Sequence, residues 1–416
     1  MVMRGNTGSR TMKHIGWAAL ATALLIASGP RGARAACPRT LTTTNPFLNL
    51  PCPADDPRWA EAFAHWDQRG DTEEVAKSLV LFEALTQAHP GEVEAWLWLG
   101  RARYLLGVRL RGDEQVAMMK KAAAAMDQAL KLDPGNGYAR YWRWSAMIFY
   151  HEFTDQDFAQ IRAFGQKYED LRELTVPDDD PMWPEAVKHW DARSRYEEGK
   201  TAIALFEKLE RKYPRRIEPK LWLLRANYWM HYVEPTKEGK AKWCLKAMEW
   251  GRKAIAMEPR NPAANYLTAA SLGMYSTHTG FYNMVRYAYE ITQLLTVVME
   301  EDPNYFYGGV SQYLALAIAR AGSLVGKTLS LVGFSQELII KNTTFACNYE
   351  PRYLRNFLAL GEMYLVLGQK DLARKNLEIV IAGDPDALKN MEPENRVAQD
   401  LARELMAKNF QEFSVD

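Results

Sequence analysis

"FLALGEMYLVLGQKDLARKNLEIVIAGDP", residues 357–385, holds two apolar runs at helical spacing, separated by a short polar break. Phe357, Leu360, Gly361 and Tyr364 share one face of the first run. Ala373, Leu377 and Val380 share one face of the second. A period near 3.6 residues marks amphipathic helix, not strand. The small residues Gly361 and Ala373 let the two helices approach closely, large apolar residues fill the space between hairpins, and Pro385 stops the second helix. The stretch predicts a helical hairpin.

The same ending recurs upstream. Ala122, Met126, Ala129 and Pro134 keep the spacing, as do Ala247, Gly251, Ala254 and Pro259. Phe82 with Pro90, Phe206 with Pro214, and "VVMEEDPNY" at 297–305 mark further endings. A longer repeat lies over these. "DDPRWAEAFAHWD" at 55–67 matches "DDPMWPEAVKHWD" at 179–191, an offset of 124 that carries Leu97-Trp98-Leu99 onto Leu221-Trp222-Leu223 and Arg101 onto Arg225. One residue later in register, "LKLDPGNGYARY" at 130–141 matches "IAMEPRNPAANY" at 255–266. Self-similarity at a fixed period signals stacked supersecondary units.

Residues 357–385 resemble a tetratricopeptide (TPR) repeat almost position for position, and 120–134 and 245–259 resemble its second helix. The expected fold is all-α: an α-solenoid of TPR-like helical hairpins with an internal duplication. The expected sections are a secretory signal at 1–35, a Pro- and Cys-containing lead at 36–54, a first helical unit at 55–174, its duplicate at 175–297, and a C-terminal unit with a closing helix at 298–416. Insertions are expected in the connections after Leu105 and Tyr232.

Arg4, Arg10 and Lys13 precede the short apolar run Ile15 to Ser28, and Ala33 to Ala35 supply small residues for cleavage. This is the pattern of a cleavable secretory signal, so a periplasmic product is expected. Cys37 lies just beyond, but Arg31 and Arg34 separate it from the apolar core, which disfavours a lipoprotein anchor. Cleavage at 35 leaves 47 basic residues against 51 acidic, a net charge of −4. That balance gives no electrostatic basis for nucleic-acid binding. Export makes a disulfide between Cys37 and Cys52 plausible, while Cys244 and Cys347 sit in helical patterns as buried thiols.

"AGSLVGKTLS" at 321–330 matches a relaxed phosphate-binding loop, A-x-x-x-x-G-K-T. Such a loop must join a buried strand to a helix N-terminus. Here Tyr313, Leu314, Ala317 and Ile318 make the preceding segment helical, and an exported protein meets no ATP pool, so no nucleotide is expected. His65-Trp66-Asp67 and His189-Trp190-Asp191 occupy equivalent repeat positions and are read as packing and capping. "YHEFTDQD" at 150–157 lacks the second His of a zinc-protease helix. No enzyme activity, metal or cofactor is expected.

Aromatic residues concentrate in "WLWLGRARY" (96–104), "YWRWSAMIFY" (141–150), "WLLRANYWMHY" (222–232) and "YFYGGVSQY" (305–313). They fill the space between helices, or some of them line a groove or cavity for an apolar ligand or peptide. Trp98, Arg101, Trp142, Trp222, Arg225 and Tyr307 are the candidate ligand-binding residues. The arginines would bind a carboxylate, or else pair with Glu inside the solenoid.

The region from about 257 onward resembles the T component associated with TRAP transporters, the TatT family. The resemblance is carried by "EEDPNYFYGGVSQYLALAIARAG", by the final repeat from Cys347 to Pro385, and by the closing "PENRVAQDLARELM" at 393–406. It implies a periplasmic helical protein that forms ring-like oligomers, partners a periplasmic solute-binding protein, and holds or passes an apolar carboxylate without performing chemistry. An envelope scaffold that binds other proteins through a concave groove is the alternative.

Overall fold

Helix starts are written into the sequence as short polar residues. Asp71, Asn136, Thr236, Asn261 and Ser335 each accept a backbone N–H from the first turn they precede, at 2.9–3.1 Å. These bonds satisfy donors that an isolated helix leaves bare. The computed structural model describes residues 37–53, 56–167, 173–321, 335–388 and 390–410. The expected signal at 1–35 and the Gly-Lys-Thr segment within 322–334 lie outside the described residues.

Among the described residues there are seventeen α-helices and no strand. The first unit holds α1 (Arg58–Asp67), α2 (Thr72–Ala88), α3 (Val93–Arg109), α4 (Gly112–Leu132), α5 (Gly137–Met147) and α6 (Asp155–Lys167). The second holds α7 (Met182–Asp191), α8 (Tyr196–Lys212), α9 (Glu218–Val233), α10 (Lys237–Met257), α11 (Pro262–Thr279) and α12 (Phe281–Glu301). Then come α13 (Tyr305–Ala321), α14 (Gln336–Tyr349), α15 (Arg355–Val366), α16 (Lys370–Ala382) and α17 (Glu392–Asn409). Sequential helices pack as antiparallel neighbours, α1 on α2, α3 on α4, α9 on α10, α11 on α12 and α15 on α16. This is the all-α array of hairpins that the periodicity implies.

The duplication holds ring by ring. The Phe82 and Trp98 rings stack at 5.6 Å, and Phe206 and Trp222 stack at 5.0 Å. Trp66 meets Trp98 edge-on at 5.6 Å, and Trp190 meets Trp222 edge-on at 5.9 Å. The one-residue slip in register falls between the third and fourth helices of each unit. Leu110 and Arg111 link α3 to α4, whereas Glu234 to Thr236 link α9 to α10. The expected insertions after Leu105 and Tyr232 are absent there, because α3, α4, α9 and α10 absorb those residues as extra helical turns. The α4 and α10 helices each run to 21 residues.

In the C-terminal hairpin a Cβ at Gly361 would lie 2.8 Å from Leu377 Cδ2 and 3.6 Å from the Ala373 carbonyl oxygen. The close approach of α15 and α16 therefore requires a residue without a side chain. Ala373, Leu377 and Val380 are buried with Leu358, Ala398, Ala402 and Met406 from α15 and α17, and Phe357 and Tyr364 pack against this cluster. Each fully buried aliphatic side chain contributes about 1.5–3 kcal/mol. Leu360 is also buried, and Pro385 follows the end of α16, its carbonyl held by Asn395 Nδ2 at 3.2 Å.

The lead is tied to both units. A disulfide joins Cys37 and Cys52. The Phe47 ring stacks on Tyr141 at 5.6 Å, and the Thr42 backbone N–H and hydroxyl donate to Glu258 at 3.1 and 2.7 Å. Cys244 and Cys347 are buried free thiols, and burial pushes Cys244 up to about 12, which leaves it unreactive. No helix among the described residues is long and apolar enough to cross a membrane.

Candidate functional site

The duplicated Arg positions build two buried clamps. In the first unit Arg69, at the end of α1, and Arg101, on α3, lie 5.4 and 5.2 Å from the Trp66 ring. Both guanidiniums donate to Glu301 at the end of α12, at 2.9 and 3.1 Å, and Arg260 joins the same carboxylate. Burial pushes the Glu301 carboxyl up, but Arg69, Arg260 and Arg101 outweigh it and hold the group well below its ordinary 4.5. Burial draws Arg101 down to about 10. Its neighbour Asp302 accepts from the Tyr141 hydroxyl, and burial raises its carboxyl from 3.8 to about 6.

The second unit repeats the device. Arg193 and Arg225 lie 4.3 and 4.9 Å from the Trp190 ring, and both donate to Glu394 on α17. Arg225 also donates to Glu173 at 2.9 Å. Two residues of each His-Trp-Asp triplet have a place here: the Trp lies against two arginines, and the His bonds a Glu of the next helix, His65 to Glu74 at 2.6 Å and His189 to Glu198 at 2.5 Å.

Five of the six candidate ligand-binding residues fall around these clamps. Trp98, Trp142 and Trp222 are buried, and their indole N–H groups donate to the carbonyls of Pro51, Phe47 and Thr175 at 2.9 Å each. Pro51 and Thr175 are themselves related by the 124-residue offset. Arg101 lies 4.0 Å from the Trp142 ring, so Trp98, Arg101 and Trp142 gather around the first clamp. Trp222 and Arg225 belong to the second. Of the two readings open for the arginines, pairing with Glu inside the helical array is what the geometry contains.

Tyr307 is placed differently. Phe306, Tyr307 and Gly308 are consecutive left-handed residues, with φ of 55°, 58° and 81°. A non-glycine residue in that region costs roughly 1–2 kcal/mol. The turn is held from several sides. Phe306 stacks on Tyr266 at 5.5 Å and lies 5.1 Å from Arg225, Tyr307 meets Tyr353 at 4.9 Å, and the Tyr307 carbonyl accepts from Asn356 at 2.8 Å.

Beside this turn lies a cluster that sequence reasoning missed. Tyr228, His231 and Tyr232 come from α9, Tyr266 and His278 from α11, and Arg355 opens α15. Arg355 Nη2 donates to the Tyr232 hydroxyl at 2.7 Å, and the Tyr228 and Tyr232 hydroxyls are 3.3 Å apart. The His231 and Tyr232 rings are 3.8 Å apart, and His231 and His278 5.9 Å. Burial lowers His231 to about 3, so it is neutral. Its Nδ1 faces the Tyr228 carbonyl and must carry the proton, which leaves Nε2 as an acceptor. The available signal was positional: Arg355 shares a helical face with Leu358, Ala359 and Met363, all buried. Among the described residues, no group of three or more His, Cys, Asp or Glu is placed to hold a metal.

Residues 186–308 match the family model described as "Regulator of microtubule dynamics protein 1-3". The match runs from within α7 to the left-handed turn and leaves most of the chain outside it. No curated protein matches the chain. Similar solved structures include the human IFIT1 dimer with PPP-AAAA, at 14% identity over 78% of this chain and 72% of that chain, TM-score 0.32. They also include the human IFIT1 dimer with m7Gppp-AAAA, at 17% identity over 78% and 72%, TM-score 0.33. At this level the likeness assigns neither ligand nor partner.

Proposed function

We propose that this protein is a non-enzymatic, periplasmic adaptor of TPR-like hairpins, which docks the solute-binding protein of a TRAP-type transport system and holds an apolar carboxylate ligand. An array of helical hairpins suits protein binding, because each hairpin adds surface to a stiff frame. One observation carries the docking half. The first half of α12 presents Tyr282, Val285 and Tyr289 on one face, 77%, 61% and 75% exposed. Large apolar side chains grouped on a surface mark an interaction site, and tyrosine is enriched where partners bind. The secretory pattern at 1–35 and the TatT-like features after residue 257 support the periplasmic setting and the kind of partner.

The test is mild cross-linking in the native envelope, followed by capture of the wild-type chain and of a Tyr282→Ala/Tyr289→Ala variant. The expected result is a TRAP-type solute-binding protein with the wild type and its loss with the variant. Both tyrosines are exposed, so the variant should melt as the wild type does. Capture of cell-wall or outer-membrane assembly proteins would replace this reading with the envelope-scaffold reading. A solute-binding protein captured equally by the variant would move the docking surface away from α12.

A further inference from the structure

Five arginines are buried among the described residues: Arg69, Arg101, Arg193, Arg225 and Arg355. The first four each reach a carboxylate, Glu301 or Glu394. Arg355, 6% exposed, reaches none among the described residues; its one side-chain hydrogen bond among them is to the Tyr232 hydroxyl. Among the described residues its Nη1 finds no acceptor, and the hydroxyl of Tyr353 two residues earlier finds no hydrogen-bond partner. The groups closest to it electrostatically are Tyr232, Tyr353, Tyr228 and Tyr266. Arg320 stands near as a second guanidinium, but Glu362 already neutralises it through two bonds, at 3.0 and 2.8 Å. His231 Nε2 and His278 Nε2 are likewise buried and unpaired.

A guanidinium cannot shed its proton, so a buried one retains its full charge and demands an anion. We infer that Arg355, with the tyrosines around it, binds the carboxylate of a small organic acid whose apolar body lies against the aromatic rings. Several features select this class of ligand. The site offers one uncompensated positive charge, which a monocarboxylate balances and a phosphate dianion would exceed. The planar fork of the guanidinium fits a carboxylate through two parallel bonds. The surrounding aromatic rings are apolar neighbours that add no negative charge. The position, at the first residue of α15, adds the favourable end of a helix dipole.

This inference deepens the ligand-holding half of the proposed function and rests on it. The partner half stands apart, because α12 carries that surface. The experiment is calorimetric titration of the purified mature chain with sodium benzoate and, separately, inorganic phosphate. The wild type should bind benzoate saturably and phosphate not at all. Arg355→Met should weaken benzoate by about 10- to 100-fold, the usual worth of a charge-assisted pair. Tyr353→Phe removes the unpaired hydroxyl at constant shape, so it should fold even if Arg355→Met does not, and should weaken benzoate several-fold.

Equal benzoate affinity in the wild type and both variants would overturn the site and leave ligand holding intact. A wild type that ignores benzoate would overturn both the site and the ligand-holding half, whatever the cross-linking yields. Phosphate binding as tight as benzoate would overturn the assignment to carboxylates.

Discussion

Glu301→Gln tests whether the first clamp holds the fold as its geometry implies. The substitution keeps shape and removes charge. Glu301 is 3% exposed and faces Arg69 and Arg101, at 7% and 2%. Both guanidiniums then lose their carboxylate while keeping a carbonyl, Trp66 O at 3.3 Å and Glu300 O at 2.8 Å. Arg260 retains Glu300. Leaving buried charge unpaired costs on the order of 3–5 kcal/mol. The remaining carbonyl bonds keep the expected loss inside that range.

The pH profile separates this cause from a simple packing defect. Glu301 and Glu394 are held below their ordinary 4.5 in the folded state. Their contribution is therefore complete above 4.5 and is lost as pH falls through their lower folded values. Asp302 runs the other way. Its folded value is raised from 3.8 to about 6, so its contribution is complete below 3.8 and is lost as pH rises through about 6. The gap corresponds to roughly 3 kcal/mol. Wild-type stability should peak between the two limbs. Urea unfolding at about pH 8, pH 5 and pH 3.5 reads both limbs. Glu301→Gln should lower stability at neutral pH and flatten the acid limb, leaving the alkaline limb in place. A loss below about 1 kcal/mol with an unchanged acid limb would refute the buried-clamp account.

Asp302→Asn should abolish the alkaline limb, and a variant that still loses stability between about pH 5 and pH 8 would assign that limb to another group. Gly361→Leu should destabilise the C-terminal hairpin by about 1–3 kcal/mol, since even a Cβ meets Leu377 at 2.8 Å; calorimetry with an unmoved melting point would contradict the close approach of α15 and α16. Reducing the Cys37–Cys52 bond, whose partners are 15 apart in sequence, should cost up to about 3 kcal/mol in a thermal melt, and no change would mean the lead does not unfold with the rest. Trp98→Phe removes the 2.9 Å bond to Pro51 and should cost about 1–3 kcal/mol, with Trp222→Phe costing a similar amount through Thr175, whereas a large difference between the two would show that the units are energetically unequal.

Periodicity, the Gly361–Ala373 pair and the offset of 124 were enough to specify the hairpins and the duplication. These are local properties, since helical spacing, small residues at crossings and stopping prolines act within a few turns. The lengths of α4 and α10 were not legible, because a helix that continues and a polar insertion look alike until the packing face is known. The aromatic runs announced a large buried surface without saying which rings face one another.

What the sequence alone determined is therefore the class of fold, its repeat, and the equivalence of Arg101 with Arg225 and of Trp98 with Trp222. Only the tertiary structure decided how charge is neutralised, because the partners come from distant turns. Glu301 stands 200 residues from Arg101, and Glu394 stands 169 from Arg225. The same dependence on distant turns hid Arg355, which reaches no carboxylate among the described residues. A buried arginine is neutralised inside the protein when a glutamate reaches it, and chain folding settles which arginines are reached.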